Sequence, residues 1–160
     1  MKKTFVFCIV LAISSIITAC PPKYIPGTTI VDNDENRAIV MLMEKYRRAF
    51  EEKDVDTIMS LVSKNFYENG GNADPSDDYN YEGLKKNLKD KFSKTRAQGL
   101  EIRIKSIDFD RENNRVSVKY NYFVKFQMAL SSGDRWETAS DTAEMIFVKE
   151  NGEWKIIKGL

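Results

Sequence analysis

From Val116 to Leu130 every even-numbered residue is apolar: Val116, Val118, Tyr120, Tyr122, Val124, Phe126, Met128 and Leu130. Side chains alternate across a strand with a period of two, so this run reads as one long β-strand with one face in a core. The odd positions Ser117, Lys119, Asn121, Lys125 and Gln127 give the other face to water, and Phe123 is the exception. Its neighbours in sequence carry the same period. Ile102 and Ile104, then Ile107 and Phe109, predict a preceding strand with a bulge between the two pairs, followed by a turn at Asp110–Asn114. Ser131–Asp134 turns the chain into a further strand over about 135–149, and Asn151-Gly152 is a two-residue hairpin signal into a last strand with Trp154, Ile156 and Ile157.

Ahead of these strands the period is helical. Ile39, Leu42, Met43, Tyr46, Ala49 and Phe50 predict an amphipathic helix over about 34–52, with Asp32 and Glu35 spaced as a capping box. Asp54 reads as the N-cap of a shorter helix carrying Ile58, Leu61 and Val62, and Phe66-Tyr67 as a brief strand. The stretch Asn69–Asn80 is rich in turn residues. Leu84, Leu88 and Phe92 then place a third helix over about 81–97, with Gly99 just past its end. Helices first and a meander of strands after them define an α+β domain over residues 32–160.

The N-terminus reads differently. Lys2 and Lys3 precede the apolar run Phe5–Ile13, which is short for a bilayer span, and Ile17-Thr18-Ala19-Cys20 follows. This layout resembles the lipobox of bacterial lipoproteins. The resemblance implies a signal peptide over 1–19, lipid on the Cys20 sulfur and a membrane anchor; an uncleaved membrane helix is the alternative. Pro21 is not the aspartate that marks inner-membrane retention in some Gram-negative bacteria, so in such a host the outer membrane facing the periplasm is favoured. Residues 20–31 then read as the lipidated cysteine and an extended tether, since three prolines and a glycine discourage helix.

Composition narrows the chemistry. Lys and Arg number 25 against 24 Asp and Glu, and loss of Lys2 and Lys3 takes the mature charge from +1 to −1. Nothing in that balance favours nucleic acid. Cys8 lies in the leader and Cys20 would carry lipid, so the mature chain has no thiol nucleophile, disulfide or cysteine-rich zinc site. The chain has no histidine, which removes histidine-based triads and histidine-ligated metals. No cofactor is expected. Asp74, Asp77 and Asp78 lack the alternating acids and closing glutamate of a calcium loop and read as a solvated loop. Lys85, Lys86, Lys89 and Lys91 read as a mixed polar helix face.

The segment Glu44-Lys-Tyr-Arg-Arg-Ala-Phe-Glu-Glu-Lys-Asp-Val-Asp-Thr-Ile-Met-Ser-Leu-Val62 and the ending Met145-Ile-Phe-Val-Lys-Glu-Asn-Gly-Glu-Trp-Lys-Ile-Ile157 resemble the nuclear transport factor 2-like superfamily. That is the cystatin-like cone shared with SnoaL-type cyclases and ketosteroid isomerase. The resemblance implies a curved antiparallel sheet of about four to five strands wrapped around three helices, with a cavity at the wide end. It does not by itself imply an activity, because one fold hosts many functions.

Ketosteroid isomerase needs a carboxylate base, a tyrosine and a protonated aspartate. Carried over without gaps, its tyrosine falls on Tyr46, its base on Gly70 and its donor carboxylate on Ala143, so two of three groups are missing. A short slip would bring in Glu68 or Glu144, the latter with the wrong strand parity. Epoxide-hydrolase-type chemistry needs an Asp-Arg-Asp set, of which Asp141 and Arg135 are two; scytalone-dehydratase-type chemistry needs histidine.

The candidate cavity-lining residues are Tyr46, Tyr120, Tyr122, Trp136 and Asp141. Tyr46 suits a packed core tyrosine better than an oxyanion donor, and Asp141 is a cavity carboxylate if its strand face turns inward and a solvated one if outward. Phe123, on the wet face, is a candidate interface residue for a homodimer. No residue is assigned a catalytic or metal-ligating role. The expected function is an envelope-anchored, non-catalytic module for a small apolar ligand or a protein partner. The alternatives are a SnoaL-like isomerase, cyclase or hydratase and a structural dimerisation module.

Overall fold

A computed structural model describes residues 21–71, 74–128 and 133–160. The leader, Cys20 and Leu130 lie outside the described residues. Helix α1 spans Asp34–Glu51, α2 Val55–Leu61 and α3 Tyr81–Ser93. The short strands β1 (Tyr67–Glu68) and β2 (Tyr79–Asn80) pair with each other between α2 and α3. The long strands β3 (Thr95–Asp110), β4 (Arg115–Met128), β5 (Arg135–Glu150) and β6 (Glu153–Lys158) form one antiparallel sheet in chain order. The α+β cone architecture read from the sequence is present, with four strands in the main sheet.

Local chemistry sets the boundaries. Helix α1 is capped by Asn33, whose Oδ1 accepts from the Asn36 N–H at 2.8 Å. The expected capping box is corrected, because Asp32 is taken by Arg37 in a two-pronged ion pair. Asp54 caps α2 as expected, accepting from the Thr57 N–H at 2.9 Å and from its hydroxyl at 2.6 Å. Helix α3 stops at Ser93, short of the predicted 97. The Thr95 hydroxyl donates to the Lys91 carbonyl at 2.9 Å, while Lys53 Nζ donates to the carbonyls of Thr95 and Arg96 at 2.8 and 3.0 Å. Those bonds draw the chain away from the helix and into pairing with β4, where Gly99 sits opposite Lys125.

The sheet bends where its register slips. One irregularity falls between Ile104 and Ser106, where the change of apolar parity predicted a bulge, and a second lies between Thr95 and Ala97. Another falls between Ile146 and Phe147, opposite β6. Each extra residue increases local twist and curvature. Asn151 and Gly152 both have positive φ, 50° and 87°, as a tight two-residue hairpin requires.

Residues 23–32 close into a small turn, where the sequence predicts an extended tether over 20–31. Ile25 and Ile30 share a backbone hydrogen bond at 2.9 Å, Tyr24 bridges Val31, and Ile30 is buried. Pro26 and Gly27 lie in this turn, and Asn36 of α1 ties it to the domain by donating from its side-chain amide to the Val31 carbonyl at 2.8 Å. Among the described residues no helix is long and apolar enough to cross a membrane.

The core is packed at one end of the cone. Val116, Val118, Met145, Phe147 and Ile156 from the sheet meet Ile39, Met43, Ile58 and Phe66, all essentially without solvent contact. Burying each such side chain contributes roughly 1.5–3 kcal/mol before the entropy of ordering it is subtracted.

Candidate functional site

Burial along the inner face of β4 falls steadily from one end to the other. Val118 is fully buried and Tyr120 is 6 % exposed, whereas Tyr122, Val124 and Phe126 are only half-buried. The helices close over the first part of that face and leave the second part uncovered. Between them is a cavity of about 350 Å³, near the lower end of the 300–1,000 Å³ typical of small-molecule sites. Tyr46 and Phe50 come from α1, Lys91 from α3, Leu100 and Ile102 from β3, and Tyr120 and Tyr122 from β4. Ala139 and Ala143 of β5 keep the space open, with Ala139 exposed at the rim.

Leu160 forms part of the wall, and Gly159 places it there. Gly159 has a φ of 95°, and a Cβ at this position would stand 2.1 Å from the Glu144 carbonyl oxygen. Its N–H donates to Glu68 Oε2 at 2.7 Å, and the Tyr79 hydroxyl donates to the Leu160 carbonyl. Glu68, a slip candidate for a catalytic base, is therefore engaged in holding this segment.

Three tyrosines, Tyr46, Tyr120 and Tyr122, line the void. Among the described residues, their hydroxyls have no protein hydrogen-bond partner, yet none is sealed from solvent. Burial raises the Tyr46 hydroxyl well above the usual tyrosine pKa, with Tyr120 and Tyr79 adding to the effect. As a residue Tyr46 is half-buried. Tyr120 is pushed up to about 12, chiefly by burial and then by Tyr122. Both hydroxyls stay protonated across the physiological range and offer neutral donors and acceptors.

The structure thus gathers Tyr46, Tyr120 and Tyr122 of the predicted lining. Asp141 lies opposite Tyr122 in the sheet register and so on the same face, but it is exposed and outside the cavity wall. Its Oδ1 accepts from the Thr142 N–H at 2.7 Å. Trp136 is a correction. It pairs with Gln127 on the outer face, is 49 % exposed, and carries the Lys125 ammonium 4.7 Å above its ring. Strand parity held that signal: Trp136 and Asp141 are an odd number of residues apart, so both could not face inward. Phe123 is on the outer face and 42 % exposed.

The transferred catalytic positions do not assemble. Ala143 lines the cavity and Gly70 lies in a turn with φ of 59°. Glu144 accepts from the Ser117 hydroxyl, and Arg135 is paired with Glu137. Among the described residues no group of three metal-ligating side chains forms. A larger groove, about 810 Å³, lies between the N-terminal turn, α1 and β3. Arg47 in its wall is clasped by Glu44 at 2.7 Å and by Glu51 at 2.5 Å. The hydrogen bond from Arg47 brings the Glu44 carboxyl down to about 2.

Lys91 is the residue that the sequence reading missed. It is exposed, as a polar helix face implies, and it also stands at the cavity mouth with its ammonium 5.2 Å from the centre of the Phe50 ring. The signal was its spacing, three residues after Leu88 and seven after Leu84, which puts it beside the apolar stripe.

A curved antiparallel sheet enclosing three helices, packed at one end and hollow at the other, is the nuclear transport factor 2-like cone. Solved structures agree. The chain is similar to a conserved protein from Planctomyces limnophilus at 14% identity, covering 78% of this chain and 92% of that one, with a TM-score of 0.67. It is similar to a scytalone dehydratase candidate from Novosphingobium aromaticivorans at 19% identity, covering 78% and 80%, with a TM-score of 0.66. A nuclear transport factor 2-like superfamily protein from Salmonella enterica gives 12% identity, 77% and 86% coverage and a TM-score of 0.64. These likenesses show the fold alone. No family model matches the sequence, and no curated protein matches it.

Proposed function

We propose that this chain is an envelope lipoprotein, anchored through lipid on Cys20, whose cone domain holds a small apolar ligand without transforming it. The lipobox-like Ile17-Thr18-Ala19-Cys20 supports the anchor, and Pro21 favours the outer membrane facing the periplasm in a Gram-negative host. The observation that carries the binding role is the cavity itself: an apolar void whose three tyrosine hydroxyls have no protein partner among the described residues. Such a wall solvates a ligand and orients it by a few polar contacts.

An isomerase, cyclase or hydratase is the weaker reading. It needs a carboxylate and a tyrosine directed at one substrate, but Asp141 engages Thr142 and Glu68 engages Gly159. The dehydratase-like neighbour does not change this, since histidine is absent. The exposed Phe123 and Trp136 on the outer sheet face favour a homodimer as a second role, compatible with the first.

The test of binding uses N-phenyl-1-naphthylamine, a neutral apolar dye that brightens when it leaves water. The protein should bind it saturably, and Ala139→Phe, which fills the rim, should weaken binding at least tenfold. Equal binding by both proteins places the dye elsewhere and refutes the role given to the cavity.

A further inference from the structure

Lys91 is the one charged side chain among the described residues that line the cavity. It forms no ion pair among them and rests its ammonium against the Phe50 ring. A cation over an aromatic face gains some attraction, yet it keeps donors unused. Most other cations near this end are engaged: Lys53 on two carbonyls, Arg47 on two glutamates and Arg96 on Asp134. The apolar surroundings pull the Lys91 amine below its usual pKa, the expected effect of desolvating a charge without a counter-ion. As a residue Lys91 is exposed, so its position at the mouth leaves it open to an incoming ligand.

We infer that the ligand of this cavity is an amphipathic anion, a compact apolar body with one carboxylate- or sulfonate-like head that pairs with Lys91. The reading rests on the binding role proposed above and specifies its chemistry. The apolar body lies along Phe50, Leu100 and Val124 inside the wall. The head stays at the rim, where Lys91 donates to it and bulk water still hydrates its other oxygens. A neutral ligand would leave the Lys91 charge without an ion-pair partner at the mouth, and a cationic one would meet repulsion. Charge therefore selects between ligands of similar shape.

Two dyes separate the possibilities, because 8-anilino-1-naphthalenesulfonate is N-phenyl-1-naphthylamine with one added sulfonate. Both are titrated into the full chain, and every variant is compared on the same background so that binding elsewhere cancels. The unaltered protein should favour the sulfonate by about tenfold, the ratio that one charge-assisted hydrogen bond supplies. Lys91→Met keeps an unbranched side chain at the mouth and should abolish the preference, read as the ratio of the two dyes' affinities within that variant. Lys91→Arg should retain it. A preference that survives in Lys91→Met, or no preference in the unaltered protein, overturns the assignment of an anion. Failure of the neutral dye to bind the unaltered protein overturns the cavity role itself.

Discussion

Single residues decide whether the cone has a hollow end. Ala139 and Ala143 leave space where larger side chains would fill it, and Leu160 is brought into the wall by a backbone that only glycine can adopt without strain. Gly159→Ala should destabilise the protein by about 1–3 kcal/mol from the backbone conformation alone, and further from the contact with the Glu144 carbonyl. A urea midpoint measures this, and an unchanged midpoint would show that the segment 158–160 does not dock against β5. The importance of Gly159 could not be read from the sequence, where it stands between Lys158 and Leu160 with no turn motif around it. Lys91 was concealed for a different reason. Among Lys85, Lys86 and Lys89 it reads as part of a polar helix face, and only the position of Phe50 on another helix shows what its ammonium lies over.

Elements were legible where one local signal dominated. The alternation along β4, the Asn151-Gly152 hairpin and the Asp54 cap each depend on neighbours within a few residues, and each is present. The end of α3 depends on a partner far along the chain, Lys53, and the turn over residues 23–32 on side chains of α1, Asn36 and Arg37, so both boundaries differ from the periodic pattern. The Asp54 cap gives a pH-dependent prediction. Its carboxyl is held below the ordinary carboxylate pKa, first by the Thr57 hydroxyl and then by the Thr57 N–H. A lowered folded-state pKa means stability that is present above the unfolded value, about 3.9, and lost as pH falls through the folded value. Asp54→Asn keeps an acceptor for the N–H but cannot titrate, so the advantage of the unaltered protein at neutral pH should shrink below about pH 4. Chemical denaturation at several pH values measures the difference. A gap that stays constant from neutral to strongly acidic conditions would assign the cap no charge-dependent part.

At the scale of the whole molecule, the three helices cover one end of a curved sheet that has three register irregularities among the described residues and leave the other end open. The packed end supplies stability and the uncovered end supplies the cavity. Sequence pattern anticipated the cone and three of its lining tyrosines, because inward parity on β4 and the stripe on α1 are periodic properties. It placed Trp136 on the wrong face and left the side of Asp141 open, since β5 has no comparable run of apolar residues to fix its orientation. The proposed anchor and the proposed binding role together would hold a ligand-binding cone close to a membrane. Mass spectrometry of the full-length protein recovered gently from its own envelope tests that claim most directly. Denaturing conditions should show covalent lipid mass on the chain, absent in Cys20→Ser. Native conditions should show a further non-covalent adduct, lost on unfolding and absent in Ala139→Phe. A native mass equal to the denatured mass, with no adduct on the unaltered protein, would contradict the account.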